Sequence, residues 1–278
     1  MSAETSLEAL LRADPDGGAI LPGIDTRATP GVKDRDAAED EMSSLAERLD
    51  ELQERLWVEG TRSLLVVLQG MDTSGKGGTM SHVFSAMDPA GLEVASFKKP
   101  TEEELAHHFL WRIERKLPVP GEVVVFDRSH YEDVLVVRVH DLVPQEDWRG
   151  RYEEINDFER RITGAGTTIV KCMLHISYDE QRERLLARLD DPSKRWKFRE
   201  GDIEERGRWE HYMAAYEDAI AECSTDIAPW YVVPSDRKWY RNWAISTLLV
   251  ETLERIDPRY PQPDLDVEAL KARLQPPH

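Results

Sequence analysis

Leu64-Leu65-Val66-Val67-Leu68-Gln69-Gly70-Met71-Asp72-Thr73-Ser74-Gly75-Lys76-Gly77-Gly78 is the stretch that decides the fold. Five apolar residues closing on a glycine mark a strand buried on both faces of a parallel sheet. Gly70, Gly75 and Lys76 then fit the first seven positions of the phosphate-loop pattern G-x-x-x-x-G-K-[ST]. In such a loop the glycines let backbone N–H groups converge on phosphate oxygens, the next helix adds positive potential, and the lysine bridges phosphates. The phosphate-contacting candidates are therefore Gly70, Thr73, Ser74, Gly75, Lys76, Gly77 and Gly78. The eighth position departs from the pattern, because Gly77 stands where a Ser or Thr hydroxyl would meet Mg2+. Asp72 suits an anion cradle only if it helps hold a cation, and we read it as replacing the missing hydroxyl, directly or through water.

Similar apolar runs recur at 94–97, 123–126, 168–176 and 230–233, with helical stretches between them. The spacing of Met42, Leu45, Leu49, Leu52 and Leu56 predicts an amphipathic helix over 40–57. Thr101 and Glu104 form a capping box that predicts a helix through Lys116. Residues 145–162, 178–190, 202–222 and 238–256 also carry the helical period, the last ending before Pro258. Buried strands alternating with helices mean a doubly wound α/β sheet of about five parallel strands. Residues 1–40 show no sustained period and read as an extended N-terminal arm, 41–260 as one catalytic domain, and the proline-rich 261–278 as a tail.

The third run ends in Asp127-Arg128-Ser129-His130-Tyr131-Glu132-Asp133. An acid closing an apolar strand is the Walker-B arrangement, which holds Mg2+ beside the phosphate loop. Asp72 and Asp127 are thus the candidate metal carboxylates, and the Arg128 fork suits a phosphate oxygen. His130 reads either as a structural hydrogen-bonding residue or as a site residue, with no proton transfer assigned to it. Lys194-Arg195-Trp196-Lys197-Phe198-Arg199 places four cations in six residues between two helical stretches, where a phosphate-loop kinase carries a mobile lid. Arg184 and Arg188, four apart, share the face of the helix before it. Lys98, Lys99 and Arg112 are single basic candidates around the second strand and its helix. His107 and His108 point apart on a helix and make no metal site. Trp209, Tyr212 and Tyr216 at helical spacing read as core packing rather than a base-stacking platform.

The chain has 54 acidic and 36 basic residues, a net charge of −18. Residues 1–60 alone carry −9 of it. That surplus excludes an indiscriminate nucleic-acid binder and docking to an anionic membrane. It does not exclude a narrow polyanion in a locally basic groove. No apolar run approaches a membrane span, and the first ten residues lack the blocks of a signal peptide. Two cysteines, Cys172 in an apolar run and Cys223, are too few for a disulfide framework or zinc site, so a reduced, cytoplasmic protein is expected.

Taken together, GMDTSGKGG at 70–78, FKKPTEEELAHHFLWR at 97–112, FDRSHYEDVLVVRVHDLVP at 126–144, KRWKFREGDIEERGRWEHYMAAYEDAI at 194–220 and WYVVPSDRKWYRNWA at 230–244 resemble the polyphosphate kinase 2 family. The resemblance runs from about residue 30 to 260. It implies a three-layer α/β phosphate-loop kinase core with a helical lid at about 190–202. It also implies Mg2+ dependence, with Mn2+ as a substitute, and a homodimer or homotetramer. The implied reaction is reversible phosphoryl transfer from inorganic polyphosphate to adenine nucleotides, with guanine as a second base, giving ADP from AMP or ATP from ADP. By motif, Asp72 and Asp127 look like the metal-organising carboxylates, Lys76 the loop lysine and Arg128 the acceptor-side phosphate ligand. Arg184, Arg188, Lys194, Arg195 and Lys197 fall in the lid segment expected to meet phosphates, and Lys98 and Arg112 join them as candidates. FKKPTEEE and SHYEDVLVVRV look most like the subgroup that uses AMP and also ADP. Asp127 stands where that subgroup often has Asn, and Gly77 where an acid often follows the lysine. The rival reading is an ATP-dependent nucleoside monophosphate kinase of the thymidylate kinase type, whose Asp-Arg-Ser is similar.

Overall fold

The computed structural model describes residues 6–15 and 20–274. Five parallel strands, β1 (Ser63–Gln69), β2 (Leu92–Ser96), β3 (Val123–Asp127), β4 (Thr167–His175) and β5 (Trp230–Pro234), form one sheet in the order β2-β3-β1-β4-β5. Successive side chains of a strand point to opposite faces, and here both faces are covered. Leu64, Val66 and Leu68 join Val123, Val125, Cys172 and Leu174 beneath α2 (Arg35–Glu59) and the helix Lys238–Ile256. Leu65 and Val67 join Val124, Phe126 and Ile169 on the other side, beneath α7 (Gln145–Gly164) and α10 (Trp209–Cys223). The result is the expected three-layer α/β architecture, and it explains why β1 is apolar without interruption.

α2 begins five residues before its sequence signal, because Asp34 caps it by accepting from Ala37 N (3.0 Å), and it ends on Gly60 at φ +62°. Before it, α1 (Leu7–Leu11) buries Leu7 and Leu11 in the same layer. Arg12 makes an antiparallel bridge to Tyr231, and Ala13 N donates to Trp230 O (2.8 Å), so these residues cover the β5 edge. At the other edge β2 is no buried strand: Ala95 alone is buried and Val94 faces solvent.

Two predicted helices are broken. The 101–116 segment splits into α4 (Glu102–Leu105), with its capping box intact, and α5 (Trp111–Glu114). Leu105 is exposed whereas Leu110 and Ile113 are buried, so the second short helix carries the apolar contacts of this segment. The 202–222 segment divides at Arg208 into α9 (Gly201–Gly207) and α10, beside a glycine that weakens a helix interior. The remaining helices are α3 (Lys76–His82), α6 (Val136–Val139), α8 (Tyr178–Asp190), α11 (Lys238–Ile256) and the exposed α12 (Val267–Arg273). No described helix is long and apolar enough to cross a membrane.

Lys171 sits fully buried in the middle of β4. Its ammonium donates to Glu159 Oε2 (2.6 Å), to the Tyr131 hydroxyl (2.8 Å) and to Cys223 O (2.8 Å). Glu159 Oε1 in turn accepts from the Tyr131 hydroxyl (2.8 Å) and lies 3.2 Å from His130 Nε2. His130 is therefore structural: fully buried, it ties the turn after Arg128 to α7. Burial alone would raise the Glu159 carboxyl, yet Lys171 and His130 hold it below its ordinary value of 4.5. A lowered folded value means that this stabilisation is fully present above about pH 4.5 and is lost as acidification carries the group from there down through its lowered folded value. Lys171→Met should cost about 3–5 kcal/mol in urea unfolding, because it strands a buried carboxylate, and adding Glu159→Leu should return part of the loss. A single variant of wild-type stability would show that the pair does not hold the core.

Candidate functional site

Because the strands are parallel, the turns after β1, β3, β4 and β5 all open on one edge of the sheet. Leu68 pairs with Asp127 on one side and Cys172 on the other, so the phosphate loop starts between the ends of β3 and β4. Gly70 adopts φ +148°, and a Cβ there would lie 2.7 Å from Leu174 O. Gly75 adopts φ +116°, and its Cβ would lie 1.7 Å from the Arg241 guanidinium. Only glycine fits either place.

The loop's carbonyls are held from behind. Asp72 O accepts from Gln181 Nε2 (3.1 Å), Thr73 O from Arg184 (2.8 Å) and Ser74 O from Arg184 (3.0 Å). Arg184 spends its other N–H groups on Ser235 O (2.6 Å), Asp236 O (3.0 Å) and Glu180 (2.7 Å). In a trans peptide the N–H points opposite to the carbonyl. Drawing these three carbonyls outward therefore turns the N–H groups of Thr73, Ser74 and Gly75 inward; that of Ser74 donates to Met71 O (3.0 Å). Thr73 accepts a left-handed φ of +66° in this arrangement. Arg184 is thus the loop's brace, and its donors are engaged away from any phosphate.

On the open side, Lys76 Nζ donates to Gly70 O (2.7 Å). Burial lowers its pKa, and the neighbouring Arg128 adds to this, while Asp72, Asp127 and Glu132 oppose it. Arg128, in a left-handed φ of +64°, places its guanidinium 3.0 Å from Asp72 Oδ1. Burial disfavours the Arg128 charge, but Glu132 and Asp72 hold its pKa above the ordinary value. Asp72, Lys76, Asp127 and Arg128 are accordingly brought together, as their spacing in sequence implies. Beside them is a cavity of about 160 Å3 whose walls include Gly70, Arg128, Glu132, Glu205, Tyr212 and Tyr216. Burial raises the Glu132 carboxyl despite Arg128 and Lys76. Tyr212 and Tyr216 are buried, as core packing requires, and also wall this cavity.

The basic segment forms a turn around the short helix Arg195–Lys197, with Trp196 76 % exposed. Lys194 pairs with Asp191 (2.7 Å), Arg195 Nε donates to Leu189 O (2.8 Å), and Lys197 lies over the Trp196 ring. Arg188 reaches Lys197 O (3.4 Å) and Asp202 (3.6 Å). Burial raises the Asp202 carboxyl, the Arg199 N–H opposes this, and the Asp72 charge raises it further. Lys98 is exposed, whereas Arg112 is buried, donates to Lys98 O (2.8 Å) and lies 3.9 Å from both Glu104 and Asp133. Arg112 thus shapes the loop after β2. His107 stacks on Trp111 and His108 meets Glu154 (2.7 Å). Gln181, Glu132 and Arg241 went unread in the sequence: a single Gln on a charged helix face carries no signal, and Arg241 reaches the loop only through folding.

Among the described residues no group of three or more His, Cys, Asp and Glu is placed to hold a metal. The two carboxylates nevertheless suit Mg2+, which takes one or two protein carboxylates and completes its shell with water and substrate phosphates. Asp72 and Asp127 are already balanced by Lys76 and Arg128, so the ion should depend on phosphate for retention. Calorimetric titration with Mg2+ alone should show no site, and binding should appear once tripolyphosphate is present; binding of the bare ion would refute this. For the brace, Arg184→Lys keeps the charge but cannot span four carbonyls. Tripolyphosphate affinity should fall about tenfold, roughly 1.4 kcal/mol, and unchanged affinity would remove Arg184 from this role.

The family model for polyphosphate kinase 2 matches residues 32–261. The chain is 52 % identical over 260 residues to an AMP/ADP-polyphosphate phosphotransferase of Meiothermus ruber, covering 93 % of this chain and 97 % of the relative. It is 40 % identical to an ADP-polyphosphate phosphotransferase of Rhodopseudomonas palustris, covering 90 % and 91 %. The fold superposes on the crystal structure of polyphosphate kinase 2 from Arthrobacter aurescens TC1 with a TM-score of 0.94 and 48 % identity, covering 97 % of this chain and 96 % of that one.

Proposed function

The chain belongs to the polyphosphate kinase 2 family, and we propose that it transfers a phosphoryl group reversibly between inorganic polyphosphate and AMP or ADP. The observation that carries this reading is the convergence of Lys76, Arg128, Asp72 and Asp127 where β1 and β3 end. In the forward direction an oxygen of the nucleotide's terminal phosphate forms a bond to the last phosphorus of the chain. The bridging P–O bond breaks, and polyphosphate one unit shorter leaves with the electron pair.

The attacking oxygen is already ionised near neutral pH, so no general base is required. Catalysis rests on alignment and on neutralising charge spread over the transferred group. The inward N–H groups of the loop and Lys76 hold phosphate oxygens, and Arg128 steadies the acceptor phosphate. Arg188, Arg195 and Lys197 approach from the lid and exclude water as it closes. Asp72 and Asp127 would hold Mg2+, or Mn2+ in its place, whose charge offsets that of the phosphates when it is bound. Acceptance of both AMP and ADP is favoured by the similarity to the Meiothermus ruber enzyme of that name. Guanine nucleotides are a secondary expectation. A homodimer or homotetramer and a cytoplasmic location are parts of the same reading; a solution mass near the 31.9 kDa of one chain would remove the former.

A donor-by-acceptor assay tests the reaction. Polyphosphate with AMP or ADP should yield ADP or ATP, and product with ATP and a monophosphate only would replace this reading by the nucleoside monophosphate kinase. Lys76→Ala should lower kcat by about 10²-fold or more with the circular dichroism unchanged, as for loss of a charge aimed at the transferred group. Asp127→Asn should raise the Mg2+ concentration needed for half-maximal rate; an unaltered requirement would take the metal role from Asp127.

A further inference from the structure

Among the described residues four lysines and arginines are buried, and three of them face a carboxylate. Arg112 lies 3.9 Å from both Glu104 and Asp133, Lys171 meets Glu159 (2.6 Å) and Arg184 meets Glu180 (2.7 Å). The fourth is Arg241, in the first turn of α11 and 3 % exposed, and among the described residues no carboxylate pairs with it. Its donors meet neutral acceptors instead. Nε (3.3 Å) and Nη2 (2.8 Å) donate to Asn242 Oδ1, and Nη1 donates to Ser74 O (3.5 Å). Burial lowers its pKa from 12.5 to about 10, and the neighbouring Arg184 charge adds to this with no acid opposing it. A buried charge without a counter-charge is costly, and the ligand-free fold does not offset that cost.

The guanidinium lies against the back of the phosphate loop. A Cβ on Gly75 would stand 1.7 Å from its Nη1, and one on Gly78 would stand 2.8 Å from its Nη2. Gly78 is inside α3, where glycine weakens the helix, and no positive φ requires it there. The three atoms nearest to a Cβ at this position all belong to Arg241, so the missing side chain leaves room for the guanidinium. The Gly75 N–H faces the phosphate side, because Arg184 draws the Ser74 carbonyl the other way. The loop backbone therefore stands between the Arg241 charge and a bound phosphate. Water does not fill that layer, so the attraction across it is weakly screened.

We propose that Arg241 is a positioning residue whose charge acts through the loop backbone on bound phosphates, which supply its missing counter-charge. This rests on the reading that the loop holds the phosphates of the reaction. The total charge of those phosphates does not change as the phosphoryl group passes between them. The attraction is then alike in the bound substrate and the transition state, and it contributes binding rather than rate.

Arg241→Met tests this, since it removes the charge while Arg184 still satisfies Ser74 O. The ligand-free variant should unfold at the same urea concentration as the wild type or a higher one, because an uncompensated buried charge is gone. Its calorimetric affinity for tripolyphosphate with Mg2+ should nevertheless fall about tenfold. Its KM for polyphosphate should rise by a similar factor, with kcat changed less than about twofold. Arg241→Gln keeps a donor for Ser74 O without the charge and should lose the same affinity. A lower urea midpoint for Arg241→Met would make Arg241 a structural residue and overturn the proposal. So would unchanged tripolyphosphate affinity, or a fall in kcat at constant KM. Wild-type affinity in Arg241→Gln would give the effect to the hydrogen bond on Ser74 O and overturn it as well. The binding measurement needs no turnover, which separates this inference from the reaction. Weakened binding in the variant, with product formed from ATP only, would keep the role of Arg241 and replace the donor. Turnover of polyphosphate with equal tripolyphosphate affinity in both proteins would defeat the role of Arg241 alone.

Discussion

A loop can offer its N–H groups to a polyanion only if its carbonyls are turned away and satisfied elsewhere, because an unpaired buried carbonyl is costly. Here Gln181 and Arg184 meet that requirement for Asp72, Thr73 and Ser74. Much of the molecule is arranged around this brace. α8 must pass behind the loop, the β5–α11 turn must supply two further carbonyls to Arg184, and Gly75 must lack a side chain so that Arg241 can pack against it. The face of α8 that braces the loop continues through Arg188 to the basic turn at 194–199, so one helix links the two.

The third strand supplies the opposing wall by a comparable device. Arg128 N still pairs with Leu68 O, but the residue turns to a left-handed φ and swings its guanidinium to Asp72. The turn beyond Arg128 is locked by Tyr131 and His130 to the buried Glu159–Lys171 pair. An ion pair at this depth is expensive in desolvation and contributes little net stability against apolar residues of equal volume. Its value here is directional, since it fixes where the Asp127–Arg128 corner stands relative to the loop.

Charge is distributed by the same logic. The surplus of −18 lies largely on the first 60 residues and on solvated helix faces. At the sheet's open edge cations stand beside the carboxylates, with Lys76 and Arg128 at the loop and Arg188, Arg195 and Lys197 on the turn after α8. Net charge therefore describes solubility, while the local arrangement governs which anion is held.

The α/β class, the phosphate loop and the acid at the end of β3 were legible in the chain because each rests on local constraints. Uninterrupted apolar runs require burial on both faces, and Gly70, Gly75, Lys76, Asp127 and Arg128 have fixed offsets from strand ends. The residues that stayed illegible depend on distant partners. Lys171 in the middle of an apolar run, Gln181 on a charged helix and Arg241 far from the loop acquire meaning only when the folded sheet brings them to Glu159, Asp72 and Gly75. Arg184 shows the difference most clearly. By residue type and spacing it belonged with the phosphate ligands, and its spacing does place it near the site. Four carbonyls from two separate turns are what bind its guanidinium, and their convergence is a property of the tertiary structure, because no periodicity in the chain records where a peptide oxygen will point.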